Sequence, residues 1–295
     1  MQLVRAADGT DIAVHDMGGT GPVLLFAHAT GFHGRVWTPI AERLADQFHC
    51  VAIDFRGHGD TRAPEGHDFD WSWFADDVLG VVDTLVVDEP IFGVGHSKGG
   101  AALLMAEQRR PGTFASLYCY EPITFPRRES GTSAADVAAN PLAAGALRRR
   151  EVFASRAEAR TNYASKPPFD GLDPAALSAY VDHGFDDLPD GTVRLKCRGA
   201  NESATYTMSM RHDAYDRLGE IACPVTVARG AEEAPADNAD AVAAALPLGR
   251  LERHDDLGHF GPLEAPDRIA GCIRAAFEET SDRTPLPPLD DEVDE

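Results

Sequence analysis

The feature that most constrains this chain is an alternation of two periods. Over the first 120 residues, short apolar runs rich in β-branched and aromatic side chains alternate with segments of helical spacing. Residues 22–27, 50–53, 90–94 and 114–120 read as buried strands, and residues 36–47, 71–86 and 98–109 carry the helical pattern. Strand, helix, strand in repetition is the signature of βαβ units and therefore of a mostly parallel sheet with helices on its faces. Residues 2–6 and 11–15, joined by Asp8-Gly9, read as an antiparallel opening hairpin. The rhythm resumes with a strand at 224–228, a helix near 238–246, a strand near 250–253 and a last helix near 264–279.

Between residues 124 and 211 the rhythm breaks. Pro126, Pro141, Pro167, Pro168, Pro174 and Pro189 punctuate short Ala- and Arg-rich pieces, which reads as an inserted helical cap. The organisation is then a core of residues 1–123 and 213–279, a cap of 124–212, and a tail of 280–295. The proline and dense negative charge of that tail favour a solvated segment.

Charge and cysteines narrow the function. A net charge of -21 repels nucleic acid and anionic lipid, so neither is expected as a partner. The start lacks the pattern of a secretory signal and no run approaches the roughly 20 apolar residues of a membrane span, so a cytoplasmic location is expected. The five cysteines, Cys50, Cys119, Cys197, Cys223 and Cys272, are scattered without CxxC spacing and predict buried thiols, with neither a disulfide framework nor a metal site.

The chemistry sits in Gly95-His96-Ser97-Lys98-Gly99, which fits G-x-S-x-G. It follows the strand at 90–94 and opens the helix at 98–109. That is the context in which such a turn strains the serine and lifts its hydroxyl clear of the sheet. A serine hydroxyl needs a general base within hydrogen-bond reach. His259 is the candidate, because it alone among eleven histidines lies in a glycine-bearing loop between the last strand and the last helix. His254, at the strand's end, is its nearest rival, while His96 is expected to support the turn. An oxyanion needs donors too, and the backbone N–H groups of Lys98 and Thr30 are placed to serve.

With these segments in view, the chain resembles the α/β-hydrolase superfamily over nearly its whole length to about residue 279. His28-Ala29-Thr30-Gly31 is similar to the family's oxyanion segment, and Asp54 to Thr61 (DFRGHGDT) to its D-x-R-G-x-G-x-S/T loop. Gly258 to Pro266 (GHFGPLEAP) is similar to its closing GH-F…E-x-P segment. The resemblance implies an eight-stranded, mostly parallel sheet flanked by helices, with the cap between the sixth and seventh strands. It also implies a Ser97–His259–acid triad, a structural role for Arg56 and His58, and no metal or organic cofactor. The acid has two candidate positions: Glu233, with Glu232 beside it, in the loop after the strand at 224–228, and Glu121 at the end of the preceding core strand. Glu233 matches the commoner position.

Two departures stand out. Ala29 replaces the usual glycine, and Lys98 replaces an uncharged residue, suggesting either a site biased toward an anionic group or a side chain snorkelling to a carboxylate. A small-molecule substrate cleaved at an ester through an acyl-enzyme is the expectation. Thioester or carbon–carbon hydrolysis with the same triad, or ligand capture by a triad-retaining receptor, are the alternatives. Cap residues Phe153, Tyr163, Phe169, Tyr180, Phe185, Tyr206 and Met208 are candidates for the pocket or for the cap's own core. The oligomeric state is left open.

Overall fold

The structure is a computed structural model that describes residues 1–85, 90–126, 140–231 and 238–281, with side chains through residue 278. Eight strands form one sheet: β1 (Gln2–Arg5), β2 (Asp11–Gly18), β3 (Val23–Ala27), β4 (His49–Asp54), β5 (Ile91–His96), β6 (Phe114–Tyr120), β10 (Val225–Arg229) and β11 (Gly249–Arg253). Their spatial order is β1-β2-β4-β3-β5-β6-β10-β11. The hairpin pairs β1 and β2 antiparallel, and β2 is antiparallel to β4. Every later pair is parallel. The central strands are buried on both faces, as in β3, where all five residues are inaccessible, which is why they read as unbroken apolar runs.

Helices cover both faces. On one side α2 (Ser72–Val82), α3 (Lys98–Arg109) and α8 (Ala239–Ala245) contribute Phe74, Val78, Leu103, Leu104 and Val242 to a core with Val51 and Leu117. On the other, α1 (Thr38–Leu44) and α10 (Pro266–Ser281) pack Ile40, Leu44, Ile269, Ile273 and Phe277 against Leu24, Phe26 and Tyr118. In α10 the buried residues recur at 269, 270, 273, 276 and 277, one stripe of a 3.6-residue period. Among the described residues, no helix is long and apolar enough to cross a membrane.

The insertion between β6 and β10 carries α4 (Pro141–Leu147), α5 (Arg156–Ala164), α6 (Pro174–His183) and α7 (Gly199–Met208). Pro141 and Pro174 sit in the first turns, where the missing N–H costs nothing, and Asn140, Ser155 and Asp173 cap the starts. The insertion is not purely helical as the proline pattern suggested. The short strands β7 (Val152–Phe153), β8 (Phe185–Asp187) and β9 (Val193–Leu195) form an antiparallel sheet of their own, too brief for a period-2 pattern to declare itself. Polar seams join this layer to the core, among them Trp71 Nε1 to Thr205 O at 2.9 Å, His33 Nε2 to Tyr180 O at 3.1 Å, Lys196 Nζ to Asp60 Oδ1 at 2.6 Å, Arg62 Nη2 to Asp186 Oδ2 at 3.1 Å, and Asp173 N to Leu263 O at 2.8 Å. The acidic tail from residue 282 onward lies outside the described residues.

Candidate active site

Ser97 links β5 to α3 with φ 55° and ψ −117°, a region that costs an L-residue about 1–3 kcal/mol. Neighbouring structure holds it there. Ser97 N donates to Tyr120 O at 2.9 Å, and Ile123 N donates to Ser97 O at 3.3 Å. Gly99 lets α3 approach β3, since a Cβ there would collide with the carbonyl of Ala27.

His259 follows β11 in a loop fastened at several points. Gly258 N donates to Glu264 Oε2 at 2.8 Å, Tyr120 Oη donates to Gly258 O at 2.8 Å, and His96 Nε2 donates to His259 O at 2.7 Å. Burial, reinforced by His259, keeps the His96 imidazole well below its ordinary pKa and hence a neutral donor. The glutamate of the E-x-P segment, Glu264, thus has a defined task that the motif could have signalled.

The carboxylate beside His259 is Glu121. Its Oε2 lies 2.5 Å from His259 Nδ1, and its Oε1 accepts from Gly230 N at 2.8 Å. Glu121 is fully buried, follows directly on β6 and takes φ 43°, so it too sits in the left-handed region. Both oxygens are engaged, as a buried carboxylate requires. Glu232 and Glu233 lie outside the described residues. His254 turns away from this cluster toward Glu252, with Nε2 2.8 Å from its Oε1.

The oxyanion segment follows β3. His28 Nδ1 donates to Ala29 O at 2.7 Å and His28 Nε2 accepts from Phe55 N at 3.1 Å, which fixes one neutral tautomer; burial and the nearby Lys98 hold its pKa far down. Gly31 has φ 82° and lies under Glu202, so that a Cβ there would come within 2.5 Å of Glu202 Oε1. The Cβ of Ala29 is accommodated in the apolar core. The loop behind is pinned by Asp54, which accepts from Gly34 N at 2.6 Å and Asp60 N at 2.8 Å and pairs with His15 at 2.9 Å. Burial opposes its charge, but His15 and the amides win and hold the carboxyl at about 2. Arg56 is fully buried between Asp77 and Asp8, with Nη1 2.7 Å from Asp8 Oδ2, in line with a loop-holding task.

Lys98 departs from both alternatives offered for it. Its ammonium is completely buried, finds no hydrogen-bond partner among the described residues, and rests 4.3 Å and 4.2 Å from the ring centroids of Phe55 and Phe74. Burial pushes the amine down to about 7, with Asp77 and Asp54 countering only in part.

Ala29, Thr30, Ser97 and His259 line one cavity of about 620 Å³ beneath the inserted layer. Its walls are mainly apolar, with Phe32, Phe169 and Phe260 meeting at 5.4–5.7 Å between ring centroids, and Arg149 and Glu202 supply charge. Arg149 Nη1 donates to Glu202 Oε2 at 2.6 Å and Nη2 bonds the Tyr180 hydroxyl. Sequence reasoning did not single out this pair, because residues 53 apart in an irregular insertion give no spacing to read. Of the seven aromatic and Met candidates, Phe169 and Tyr206 line the cavity. Phe153, Tyr163 and Phe185 instead pack on one another within the insertion, Tyr180 bridges from Tyr163 to Phe32 of the core, and Met208 packs against the sheet's core.

A model of the alpha/beta hydrolase family matches residues 24–271, which span the elbow, the Glu121 turn, the insertion and the His259 loop. The chain belongs to that family. This α/β-hydrolase is 27% identical over 212 residues to a 2-(acetamidomethylene)succinate hydrolase of Mesorhizobium japonicum, covering 72% of this chain and 71% of the relative. It is 29% identical over 275 residues to lipase LipV of Mycobacterium tuberculosis, covering 90% and 97%. Among solved structures, that of E-2-(acetamidomethylene)succinate hydrolase superposes with a TM-score of 0.79 at 22% identity, over 94% of this chain and 98% of the other.

Proposed function

We propose that this α/β-hydrolase cleaves a carboxylic ester of a small molecule through an acyl-enzyme, with Ser97 as nucleophile, His259 as general base and Glu121 as the triad acid. The observation that carries the reading is the 2.5 Å contact of Glu121 with His259 Nδ1. It favours a proton on Nδ1 with Nε2 as acceptor for the serine, and both Ser97 and His259 open onto the same cavity.

The sequence of events follows from those positions. Ser97 Oγ attacks the substrate carbonyl as His259 takes its proton, and the carbonyl oxygen acquires charge. The Lys98 N–H, one of the unpaired donors in the first turn of α3, and the Thr30 N–H receive that charge. His259 then returns the proton to the leaving alcohol, and water repeats the steps on the acyl-enzyme. Glu121 stabilises the imidazolium in both halves without itself taking the proton. The inserted layer acts as the cap that shapes the substrate cavity, and the mainly apolar walls suit an acyl or alcohol group with aromatic or aliphatic bulk.

The test is labelling of the purified protein with a fluorophosphonate probe, together with turnover of a panel of aryl and alkyl esters that also includes thioester and amide members. Labelling at Ser97 that disappears in Ser97→Ala, with ester turnover lost alongside, is the expected result. Labelling that persisted in that variant would remove the assignment. Selective turnover of amides or thioesters would keep the triad and replace the substrate class.

A further inference from the structure

We infer that Glu252, His254 and Cys272 form a binding site for a divalent cation of the zinc class, behind the loop that carries His259. The spacing of the cysteines hides such a site, because its ligands come from two elements. Glu252 lies on β11 and His254 immediately follows it, two residues apart and so on one face, while Cys272 reaches them from α10.

One donor atom from each of the three lies within 4.8 Å of the others. Tetrahedral zinc bonds of about 2.0–2.3 Å imply donor separations of roughly 3.3–3.8 Å, so a small rearrangement, in which the His254–Glu252 pair opens from 2.8 Å, brings the set to coordinating distance. His254 is only 7% exposed, and its Nε2 is 2.8 Å from Glu252 Oε1 without the direction of a hydrogen bond to any acceptor among the described residues. The imidazole nitrogen and the carboxylate thus face one buried point, where a cation would take both as ligands. Tyr118 Oη donates to Glu252 Oε1 at 2.9 Å and orients the carboxylate from behind, as partners of metal ligands commonly do.

The donor set names the ion. One oxygen, one imidazole nitrogen and one sulfur suit a borderline-soft cation such as Zn²⁺ or Co²⁺, whereas Mg²⁺ and Ca²⁺ ask for oxygen alone. In the free protein burial and the nearby Glu252 carboxylate keep the proton on the Cys272 thiol. The cation takes the place of that proton: the S–H bond breaks, a sulfur–metal bond forms, and one proton leaves to solvent. Glu252 and Cys272 are part-exposed, which leaves room for water in the fourth position.

The site adjoins the catalytic loop without sharing a residue with it. Leu257 N donates to His254 O at 2.9 Å, and the His254 ring stacks on Tyr120 at 6.1 Å and 17°. Tyr120 in turn holds Gly258, next to His259. A bound cation therefore clamps β11, α10 and the base of that loop together, and raises the melting temperature by mass action.

The experiment is a titration of the chelator-treated full chain with Co²⁺, read by absorbance. Binding of one equivalent should give the visible bands of tetrahedral cobalt and a near-ultraviolet thiolate-to-cobalt band, both discharged by Zn²⁺. Cys272→Ser should lose the thiolate band, and Glu252→Gln should weaken binding by more than an order of magnitude. Both should lose the Zn²⁺-dependent rise in melting temperature, while His259→Ala should keep the cobalt spectrum. Absence of a thiolate band in the unmutated chain, or a band that survives in Cys272→Ser, overturns the proposal. A cobalt spectrum lost in His259→Ala also overturns it, by moving the ion to the catalytic residues.

Discussion

Ser97 and Glu121 are fastened to each other through the backbone: the Ser97 N–H donates to the carbonyl immediately before Glu121, and the Ser97 carbonyl accepts from the N–H two residues after it. Adjacent parallel strands thus end in two strained turns that brace one another, with φ of 55° and 43°. Ser97 and Glu121 are thus set by one strand pair, and only His259 arrives from elsewhere.

Replacing Glu121 with glutamine preserves the shape of that turn and removes its charge. An amide on Nδ1 no longer stabilises the imidazolium and can select the wrong tautomer, so kcat is expected to fall about 10³- to 10⁴-fold with KM little changed. Steady-state ester hydrolysis by Glu121→Gln and Glu233→Gln checks this, with circular dichroism confirming the fold. A deep loss in Glu233→Gln with normal turnover in Glu121→Gln would return the acid to the loop after β10.

Lys98 is a cost to the fold at neutral and acidic pH. Its amine titrates near 7 when folded, and near 10.4 in an unfolded chain. Below pH 7 both states carry the proton and the penalty of burying the charge is present in full. Between about 7 and 10.4 the unfolded state binds a proton that the native state lacks, so stability rises with pH. The penalty, on the order of several kcal/mol, exceeds the roughly 2 kcal/mol that two aromatic faces return. Lys98→Met is therefore expected to raise the melting temperature at pH 6, by an increment that shrinks toward pH 10. Thermal melts of both proteins across that range decide it, and an increment that grew with pH would contradict the sign.

Gly31→Ala combines a left-handed backbone with a close approach to Glu202. The strain of about 1–2 kcal/mol and the displaced carboxylate fall on the loop that presents Thr30. A loss of at least about tenfold in kcat is expected, larger than any loss of melting temperature would explain. Glu202→Ala added to it should recover part of the rate if the carboxylate is the obstacle, and the double-mutant cycle measures that coupling.

Arg56→Met strands the buried Asp77 carboxylate, whose pKa burial already pulls upward against the arginine's influence. The expected loss is about 3–5 kcal/mol, as for other buried pairs stripped of one partner. Urea denaturation followed by fluorescence measures it, and a loss below about 1 kcal/mol would mean the loop is held by Asp54 alone.

The sheet was legible because its central strands are buried on both faces: residues 22–27 and 114–120 announce themselves by composition. Ser97 and His259 were legible because each sits in a local motif whose glycines have steric reasons. Glu121 was visible only as an alternative, since what recommends it is an amide of Gly230, 109 residues away across two neighbouring strands. The short strands β7, β8 and β9 escaped because two or three residues cannot display a period, and the direction of the Lys98 side chain depends on Phe55 and Phe74, which no spacing connects to it.

The polar seams around the inserted layer bear on how a substrate would be chosen. Trp71, His33, Asp60 and Leu263 grip it from different parts of the core, so swinging this layer open would mean parting contacts on several sides at once. In its described part it is built more like masonry than like a door. On the proposed reading, discrimination would then be an equilibrium matter of fit against a wall already set when the chain folds, rather than a kinetic decision taken by closure around each visitor.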